Sequence, residues 1–271
     1  MPENFQSSLG GKRVVITRSA AQCEDLVREL SARGATPLVF PLVSFAEPDD
    51  FAPLDRAIRK IAEFDWLILT SAQAVRAVVE RAADLERPLV RTDSRVRVAC
   101  VGPVTADAAR KADLPVEYVA LTHNGVALAN ELGSKLQGGK VLLPRSDRAN
   151  PDLPAALERF GAQVTEVIAY RTLRPAETDG DGLKKMVDGR ADAVLFFSPS
   201  AVQHFAELVG ATALNEIESK LAITAVGPVT ANVLRQAGVR SAVVAQDTTA
   251  VSVLEALEGY FAAAKTGVKR A

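Results

Sequence analysis

One five-residue segment, Gly-Pro-Val-Thr-Ala, occurs twice in the chain, at 102–106 and again at 227–231. Each copy follows a short apolar run and precedes a helical pattern, so each predicts a strand, a tight turn and a helix. Glycine lets the backbone leave the strand at unusual dihedral angles, and proline suits the first helical position. Open α/β sheets bind ligands beyond the carboxyl ends of their strands, where helix N-termini favour anions. The two turns therefore predict two similar half-sites for an anionic ligand.

The repetition extends over most of the chain at a nearly constant offset, close to half of its length. VVITR at 14–18 aligns with VLLPR at 141–145, and DWLILTS at 65–71 aligns with DAVLFFS at 192–198. This period is much longer than the roughly 20–50 residues of solenoid repeats, so it indicates a domain duplication. Strands alternate with helices in both halves, which predicts an α/β fold of two similar parallel-sheet domains, flavodoxin-like or Rossmann-like.

Composition excludes several classes of protein. Lysine and arginine total 32 against 33 acidic residues, a net charge of −1, so no basic field for nucleic acid is present. Cys23 and Cys100 both lie in apolar contexts and are expected to be buried thiols, as in a reducing cytoplasm. His123 and His204 show no metal-ligand spacing with them and are expected at the surface. No apolar run approaches the roughly 20 residues that a membrane span needs, so we expect a cytoplasmic protein without a membrane partner.

The common catalytic and cofactor motifs are missing from the sequence. There is no G-x-G-x-x-G after a strand and no G-x-x-x-x-G-K-[ST], which disfavours a nucleotide-dependent enzyme. There is also no H-E-x-x-H, no G-x-S-x-G and no Cys/His nucleophile pair. We therefore expect no cofactor and no metal, and either chemistry driven by binding or no chemistry.

Four polar residues at strand ends are the first candidates for ligand binding. Thr105 and Thr230, within the repeated segments, could donate hydrogen bonds to a ligand, or could simply cap their helices. Arg18 and Arg145 each follow a strand and precede a helix, where the helix dipole disfavours a cation. A carboxylate or phosphate bound there would explain them, and a solvated arginine is the alternative.

Helix starts supply the remaining candidates. Ser71, Ser198 and Ser200 begin the helices that follow the two central strands, where capping alone would also explain them. Ser19, with Gln22 three residues later, predicts a capping box for the first helix. Tyr170 lies in the extended segment VIAYRT. Its residue type alone predicts a strand tyrosine with its ring in the core.

Together these segments resemble the uroporphyrinogen-III synthase family over about residues 13–262. The match consists of VVITR, DWLILTS, DAVLFFSPSAV, both Gly-Pro-Val-Thr-Ala turns and VIAYRT. Each segment is weak alone, and their order, spacing and duplication make the resemblance specific.

The resemblance implies a particular division of the chain. One discontinuous α/β domain would comprise residues 1–37 and 173–271, and one continuous α/β domain would comprise 44–163. Two connector strands, 38–43 and 164–172, would join them. The sequence supports these connectors independently, because both are extended and apolar and occupy equivalent places in the two halves.

The resemblance also implies a reaction: cyclisation of hydroxymethylbilane to uroporphyrinogen III, with loss of water and inversion of ring D through a spiro intermediate, in haem-type tetrapyrrole biosynthesis. Such a lyase needs neither cofactor nor metal. The resemblance implies that Tyr170 is the catalytic residue and that it acts near the leaving hydroxyl group. The substrate carries eight carboxylates, for which Thr105, Thr230 and the turns at Gly102 and Gly227 would supply donors at helix N-termini facing an interdomain cleft.

Further expectations concern partners and an alternative function. The family implies a monomer, and the substrate could be handed over by the enzyme that makes hydroxymethylbilane. The alternative from another class is a non-catalytic, two-lobed binding protein for a small anion, which would share the duplicated lobes. Replacement of Tyr170 by phenylalanine would distinguish the enzyme from the binding protein, since only an enzyme should lose turnover rate.

Overall fold

The chain forms two compact units. The structure is a computed structural model that describes residues 7–19, 22–90, 95–175, 188, 190–240, 242–246 and 249–265. Unit 1 comprises residues 1–44 and 173–271, and unit 2 comprises residues 45–172. Within the described ranges, no helix has the length and apolar character needed to cross a membrane.

Strands and helices alternate along the chain. The strands are β1 Arg13–Ile16, β2 Thr36–Val39, β3 Ser44–Ala46, β4 Trp66–Leu69, β5 Arg97–Cys100, β6 Val116–Val119, β7 Lys140–Ser146, β8 Gln163–Leu173, β9 Ala193–Phe196, β10 Ala222–Val226 and β11 Val243–Ala245. The α-helices are α1 Glu24–Ala32, α2 Ala52–Arg59, α3 Ala72–Asp84, α4 Pro103–Lys111, α5 Gly125–Leu132, α6 Asp152–Arg159, α7 Pro199–Val209, α8 Ala211–Glu218, α9 Pro228–Gln236 and α10 Ala250–Lys265. Short 3₁₀ helices cover Ile61–Glu63 and Gly133–Leu136.

Unit 1 is built on a parallel five-stranded sheet in the order β11-β10-β9-β1-β2. Numbered within the unit, this is the order 2-1-3-4-5 of flavodoxin-like folds, whose ligands bind where the strand order reverses. That point lies beyond the carboxyl ends of β1 and β9. Arg18 follows β1 and Ser198 follows β9, so two predicted site residues lie at the expected end of the sheet.

Unit 2 is built on a six-stranded sheet in the order β3-β8-β7-β4-β5-β6. From β8 to β6 its strands repeat the order that unit 1 has from β2 to β11. Four of these five strand pairs begin at one constant offset in sequence, the offset between Arg13 and Lys140, and the fifth pair, β5 and β10, begins at a slightly shorter one. The structure thus confirms two similar parallel α/β units.

Both faces of each sheet pack against apolar cores. The central strands are therefore apolar at every position. In β4, Trp66 and Ile68 belong to the core on one face, whereas Leu67 and Leu69 belong to the core on the other. This is the continuous apolar pattern expected of parallel strands under helices on both sides. Fully burying such a side chain contributes about 1.5–3 kcal/mol.

An aspartate anchors the start of each central strand to its neighbour. In unit 2, Asp65 Oδ2 accepts the backbone N–H of Lys140 at 2.9 Å. In unit 1, Asp192 Oδ2 accepts the backbone N–H of Arg13 at 2.8 Å. The two aspartates align with each other in the repeated sequence, so the duplication preserves this side-chain hydrogen bond as well as the strand order.

The predicted capping box of the first helix is wrong. The N-cap residue of α1 is Cys23, without a side-chain cap, and the helix begins at Glu24. The backbone N–H of Gln22 donates to the carbonyl of Ser19 at 3.0 Å, which makes a turn before the helix. Ser19 lies four residues before the N-cap position and is therefore not the residue that caps α1.

Both cysteines are buried, as predicted, but the surface position predicted for His204 is wrong. Only 1% of His204 is exposed, and its Nδ1 lies 2.7 Å from the carbonyl oxygen of Leu42. Leu42 belongs to the same core as Phe205 of α7. The histidine is buried because the segment after β2 packs beside this helix and presents a backbone carbonyl that needs a partner.

Elements near the predicted connectors differ in detail from the sequence prediction. Only β2 and β3 are strands between residues 36 and 46, while 163–173 is one strand that pairs with β7 in parallel register. The units divide at Ser44/Phe45 and at Thr172/Leu173. β3 and α8 were not predicted from the sequence. The sequence also predicts a helix at 182–187, which lies outside the described residues.

Candidate active site

A β-bulge near the end of β8 sets the direction of Tyr170. Arg145 of β7 pairs with Ile168, but the next residue, Ser146, pairs with Tyr170, so Ala169 is an extra residue in β8. Strict alternation would place Tyr170 on the face of Ile168, which is exposed. The bulge instead puts Tyr170 in the same core cluster as Ala169. Bulges are common next to active sites because they redirect a side chain in this way.

The hydroxyl of Tyr170 meets the N-terminus of helix α3. Its oxygen lies 3.1 Å from Ser71 Oγ, and either hydroxyl can be the donor. Ser71 is the N-cap residue of α3, and its Oγ accepts the backbone N–H of Ala74 at 3.0 Å. Because that oxygen already accepts a bond, the Ser71 proton can point at the tyrosine oxygen and leave the phenolic proton for another acceptor.

The surroundings of Tyr170 favour its neutral form. Only 8% of the residue is exposed, and this burial raises the pKa of the phenol. The hydrogen bond to Ser71 and the charge of Arg145 oppose the rise in pKa, whereas the charge of Asp147 adds to it. Tyr170 is therefore protonated near neutral pH and can act as a hydrogen-bond donor or an acid.

A polar network fixes the chain on either side of the bulge. Asp147 donates its backbone N–H to the Tyr170 carbonyl at 3.2 Å, and its Oδ1 accepts the backbone N–H of Thr172 at 2.9 Å. The hydroxyls of Ser146 and Thr172 lie 2.6 Å apart. These three residues could not be identified from the sequence, since they lie at the ends of β7 and β8 and meet only through the pairing of these two strands.

Phe45 completes the surroundings of the tyrosine. Its ring stands edge-on to the ring of Tyr170, with centroids 5.5 Å apart and an interplanar angle of 85°. Phe45 lies in β3, the neighbour of β8 in the sheet, and 37% of it is exposed. Phe45 could not be identified from the sequence because β3 is too short to show a period.

Arg145 is more buried than a strand-end arginine on an open surface would be. Only 4% of the residue is exposed. Its Nη2 donates to the carbonyl of Asn150, and its Nε lies 3.4 Å from Glu166 Oε1. Among the residues that the structure describes, Nε and Nη1 have no hydrogen-bond partner of good geometry. Burial lowers the pKa of the guanidinium. Because so little of the residue is exposed, the alternative of a solvated arginine is wrong at this position.

The two repeated turns have the predicted strand–turn–helix form but differ in conformation. Gly102 is extended at φ −166°, whereas Gly227 has φ +88° and ψ 156°, a region open almost only to glycine. Each glycine is the N-cap of its helix, and no side chain caps either helix. Thr105 and Thr230 are the third helical residues and are buried. The alternative that these threonines are helix caps is therefore wrong.

Unit 1 carries a related set of polar groups without a tyrosine. Ser198 is the N-cap of α7 and accepts the backbone N–H of Ala201 at 3.3 Å, and Ser200 is the second residue of that helix. The guanidinium of Arg18 lies over the ring of Phe197, 4.3 Å from its centroid, and burial lowers the pKa of Arg18 to about 10. Val43 aligns with Tyr170 in the repeated sequence, so the two sets of polar groups are chemically unequal.

The structure therefore brings Tyr170 and Ser71 into contact in unit 2, with the charge of Arg145 nearby. Gly102 and Thr105 follow β5, the parallel neighbour of β4, so they start a helix at the same end of this sheet. Within the described part of the chain, no three His, Cys, Asp or Glu side chains are grouped so that they could hold a metal ion.

Comparison with known proteins decides the family. The family model described as uroporphyrinogen-III synthase HemD matches residues 24–255. The chain belongs to the uroporphyrinogen-III synthase family. It is 30% identical to a uroporphyrinogen-III synthase of Synechococcus elongatus over 257 residues, 93% of this chain and 97% of the relative. It is 28% identical to the chloroplastic uroporphyrinogen-III synthase of Oryza sativa over 262 residues, covering 91% of this chain and 81% of the relative.

Solved structures of the synthase family share the fold. The chain matches a mutant uroporphyrinogen III synthase of Thermus thermophilus with a TM-score of 0.66 at 23% identity, covering 94% of this chain and all of that one. A synthase of Helicobacter pylori matches with a TM-score of 0.58 at 16% identity, covering 92% and 99% of the two chains. At these identities the likeness establishes the fold, and the arrangement of side chains has to be argued from this chain itself.

Proposed function

We propose that this chain catalyses the cyclisation of hydroxymethylbilane to uroporphyrinogen III, with Tyr170 as the catalytic residue. The observation that carries the proposal is the buried, protonated Tyr170 hydroxyl held against Ser71 at the N-terminus of α3, in a member of the synthase family. A neutral phenol suits this chemistry because the first step needs a proton donor at the departing hydroxyl.

In the proposed reaction, Tyr170 donates its proton as the C–O bond of the hydroxymethyl group breaks, so the hydroxyl leaves as water. The pyrrole that carried it keeps its N–H and becomes a protonated azafulvene, a cation with an electrophilic methylene carbon. The substituted α-carbon of ring D bonds to that methylene and gives the spiro intermediate. The bond between this ring D carbon and its original methylene bridge then breaks, and the free α-carbon of ring D bonds to the bridge carbon. Loss of the proton on that α-carbon, which the tyrosinate can accept, restores the pyrrole and leaves net loss of one water.

We further propose that helix N-termini and nearby polar groups bind the carboxylates of the substrate. Backbone N–H groups at helix N-termini hold anions without a large positive net charge, which suits a chain of net charge −1. The proposed binding residues in unit 2 are Ser71, Gly102, Thr105 and Arg145. The proposed binding residues in unit 1 are Arg18, Ser198, Ser200, Gly227 and Thr230. For Arg145, binding requires that a carboxylate reach nitrogen atoms that are now covered.

Several finer features belong to the same proposal. We propose that units 1 and 2 act as the two domains expected from the family, with segments 38–43 and 164–172 as connectors. We also propose that the protein works as a monomer in the cytoplasm and receives its substrate from the enzyme that makes hydroxymethylbilane.

The test is the product isomer formed by the wild-type protein and by Tyr170→Phe. Hydroxymethylbilane is generated in the reaction mixture, and the oxidised type I and type III porphyrins are separated. The bilane closes by itself to the type I isomer. We therefore expect mostly type III from the wild type, and a type III rate about 10²- to 10⁴-fold lower when the acid is removed. Tyr260→Phe, a partly exposed tyrosine of α10, is the matched control and should behave like the wild type.

Two outcomes would contradict the proposal in different ways. Formation of type I alone by the wild type, at the spontaneous rate, would reject the synthase activity and favour the non-catalytic anion-binding protein. Undiminished type III formation by Tyr170→Phe would retain the activity but remove Tyr170 from its catalytic role.

A further inference from the structure

We propose that Phe45 determines product specificity by forming an aromatic wall beside Tyr170 that orients the reacting pyrrole ring. This inference rests on the proposed function, because it names a further residue of the same site. Its starting point is a partly exposed phenylalanine next to the one tyrosine that the mechanism uses.

The geometry couples the two rings directly. Phe45 meets Tyr170 edge to face at 5.5 Å between centroids, an arrangement favoured by the quadrupoles of aromatic rings. Tyr170 is buried to 8% exposure, while Phe45 keeps 37% of its surface in contact with solvent. An apolar ring with this exposure can cover a flat ring that approaches the tyrosine.

The segment that follows Phe45 is fixed to the strand of the tyrosine. Arg171, the residue after Tyr170, donates from Nε to the carbonyl of Glu47 at 2.9 Å. Its Nη1 lies 2.7 Å from Asp49 Oδ1. Together with the pairing of β3 and β8, these contacts set the position of Phe45 relative to Tyr170, as a positioning wall requires.

The chemistry of the substrate gives this wall its role. A pyrrole is an electron-rich aromatic ring without charge, so an aromatic face binds it, whereas the polar groups of the site bind its carboxylates. Aromatic pairs add a modest preference, equivalent to about a two- to tenfold ratio of rates or affinities. The enzymic type III closure competes with spontaneous type I closure, so a preference of this size changes the product ratio measurably.

The test compares Phe45→Leu, which keeps apolar volume without the ring, with Phe45→Tyr, which keeps the ring. At saturating substrate we expect Phe45→Leu to lower the ratio of type III to type I product about two- to tenfold, and Phe45→Tyr to preserve it. Tyr260→Leu is the matched control, because Tyr260 is 40% exposed and also forms an edge-to-face pair, with Phe261 in unit 1. This control should leave the product ratio unchanged. Phe45→Met replaces Phe45→Leu if the leucine variant does not fold.

An ultraviolet titration of the tyrosines separates a direct role from an indirect one. A lower type III fraction with an unchanged titration of Tyr170 supports the wall. A lower fraction with a shifted Tyr170 titration overturns it, because Phe45 would then act only by holding Tyr170. An unchanged fraction in folded Phe45→Leu or Phe45→Met also overturns it. Failure of the wild type to form type III would instead reject the synthase activity, so the two failures are distinguishable.

Discussion

Ser71 combines two roles on one oxygen. Its Oγ caps helix α3 through the backbone N–H of Ala74, and it also contacts the hydroxyl of Tyr170. Ser198, the equivalent residue of unit 1, caps α7 in the same way through Ala201. A comparison of Ser71 with Ser198 therefore separates helix capping, which both serines perform, from the effect on Tyr170, which only Ser71 can have.

We predict that Ser71→Ala and Ser198→Ala each lower the free energy of unfolding by about 0.5–2 kcal/mol, as expected for loss of an N-cap. Only Ser71→Ala should raise the pKa of Tyr170 further, because the Ser71 hydrogen bond favours the phenolate. Denaturant unfolding measures the first effect and ultraviolet titration of the three tyrosines measures the second. An unchanged pKa of Tyr170 in Ser71→Ala would show that the contact with the Ser71 hydroxyl does not affect the ionisation of the phenol.

The repeated turns show that identical sequences need not share a backbone conformation. Gly102 is extended, a conformation that any residue can adopt, and a Cβ there would lie 3.6 Å from the Cβ of His123, an ordinary contact. Gly227 combines φ +88° with ψ 156°, and its N–H donates to the carbonyl of Ala245 at 2.9 Å. The conformational freedom of glycine is therefore required in the second turn only.

We predict that Gly227→Ala lowers the free energy of unfolding by about 1–3 kcal/mol, because the backbone must keep a glycine-only conformation or rearrange. Gly102→Ala is the matched substitution in the same five-residue sequence and should cost less, at most about 1 kcal/mol, because it loses only the preference of an N-cap position for glycine over alanine. Equal losses in the two variants, measured by urea unfolding, would contradict the assignment of backbone strain to Gly227 alone.

At the scale of the whole molecule, the two duplicated units contain the same kind of stabilising contact, made by equivalent aspartates. Asp65 accepts bonds from the Lys140 amide and from Arg95, and Asp192 accepts bonds from the Arg13 amide and from Lys12. These bonds lower the pKa of both carboxyls below the usual range, against the effect of partial burial. Because the two aspartates bind different partners and lie in different units, their contributions should be independent.

We predict that Asp65→Ala and Asp192→Ala each cost about 1–2 kcal/mol of unfolding free energy at neutral pH, and that the double variant shows their sum. A folded-state pKa below the unfolded value near 3.9 gives stability that is present above that value and is lost as pH falls through the folded pKa. The penalty of each substitution should therefore shrink on acidification below about pH 4. A penalty that stays constant from pH 7 to pH 2 would be inconsistent with carboxylate anchors.

Much of the fold is determined by the sequence alone. The apolar runs of β4, β5, β9 and β10, the helices after them and the regular spacing between the two halves can be read along the chain, and they predicted two similar parallel α/β units. The same motifs indicated the family that the comparisons established. Tyr170 was nominated as catalytic through that resemblance, and its role stays a prediction until the isomer assay is done.

Only the tertiary structure decided how the candidate site is arranged. The bulge at Ala169 depends on how β8 pairs with β7, the burial of Arg145 depends on the chain around Asn150, and the contact of Phe45 with Tyr170 depends on β3 joining the sheet. A one-residue change of register reverses the face of a side chain without any change in the local sequence. The physical reason is that periodicity is a property of neighbours along the chain, whereas register, burial and ring contacts arise between strands that are distant in sequence.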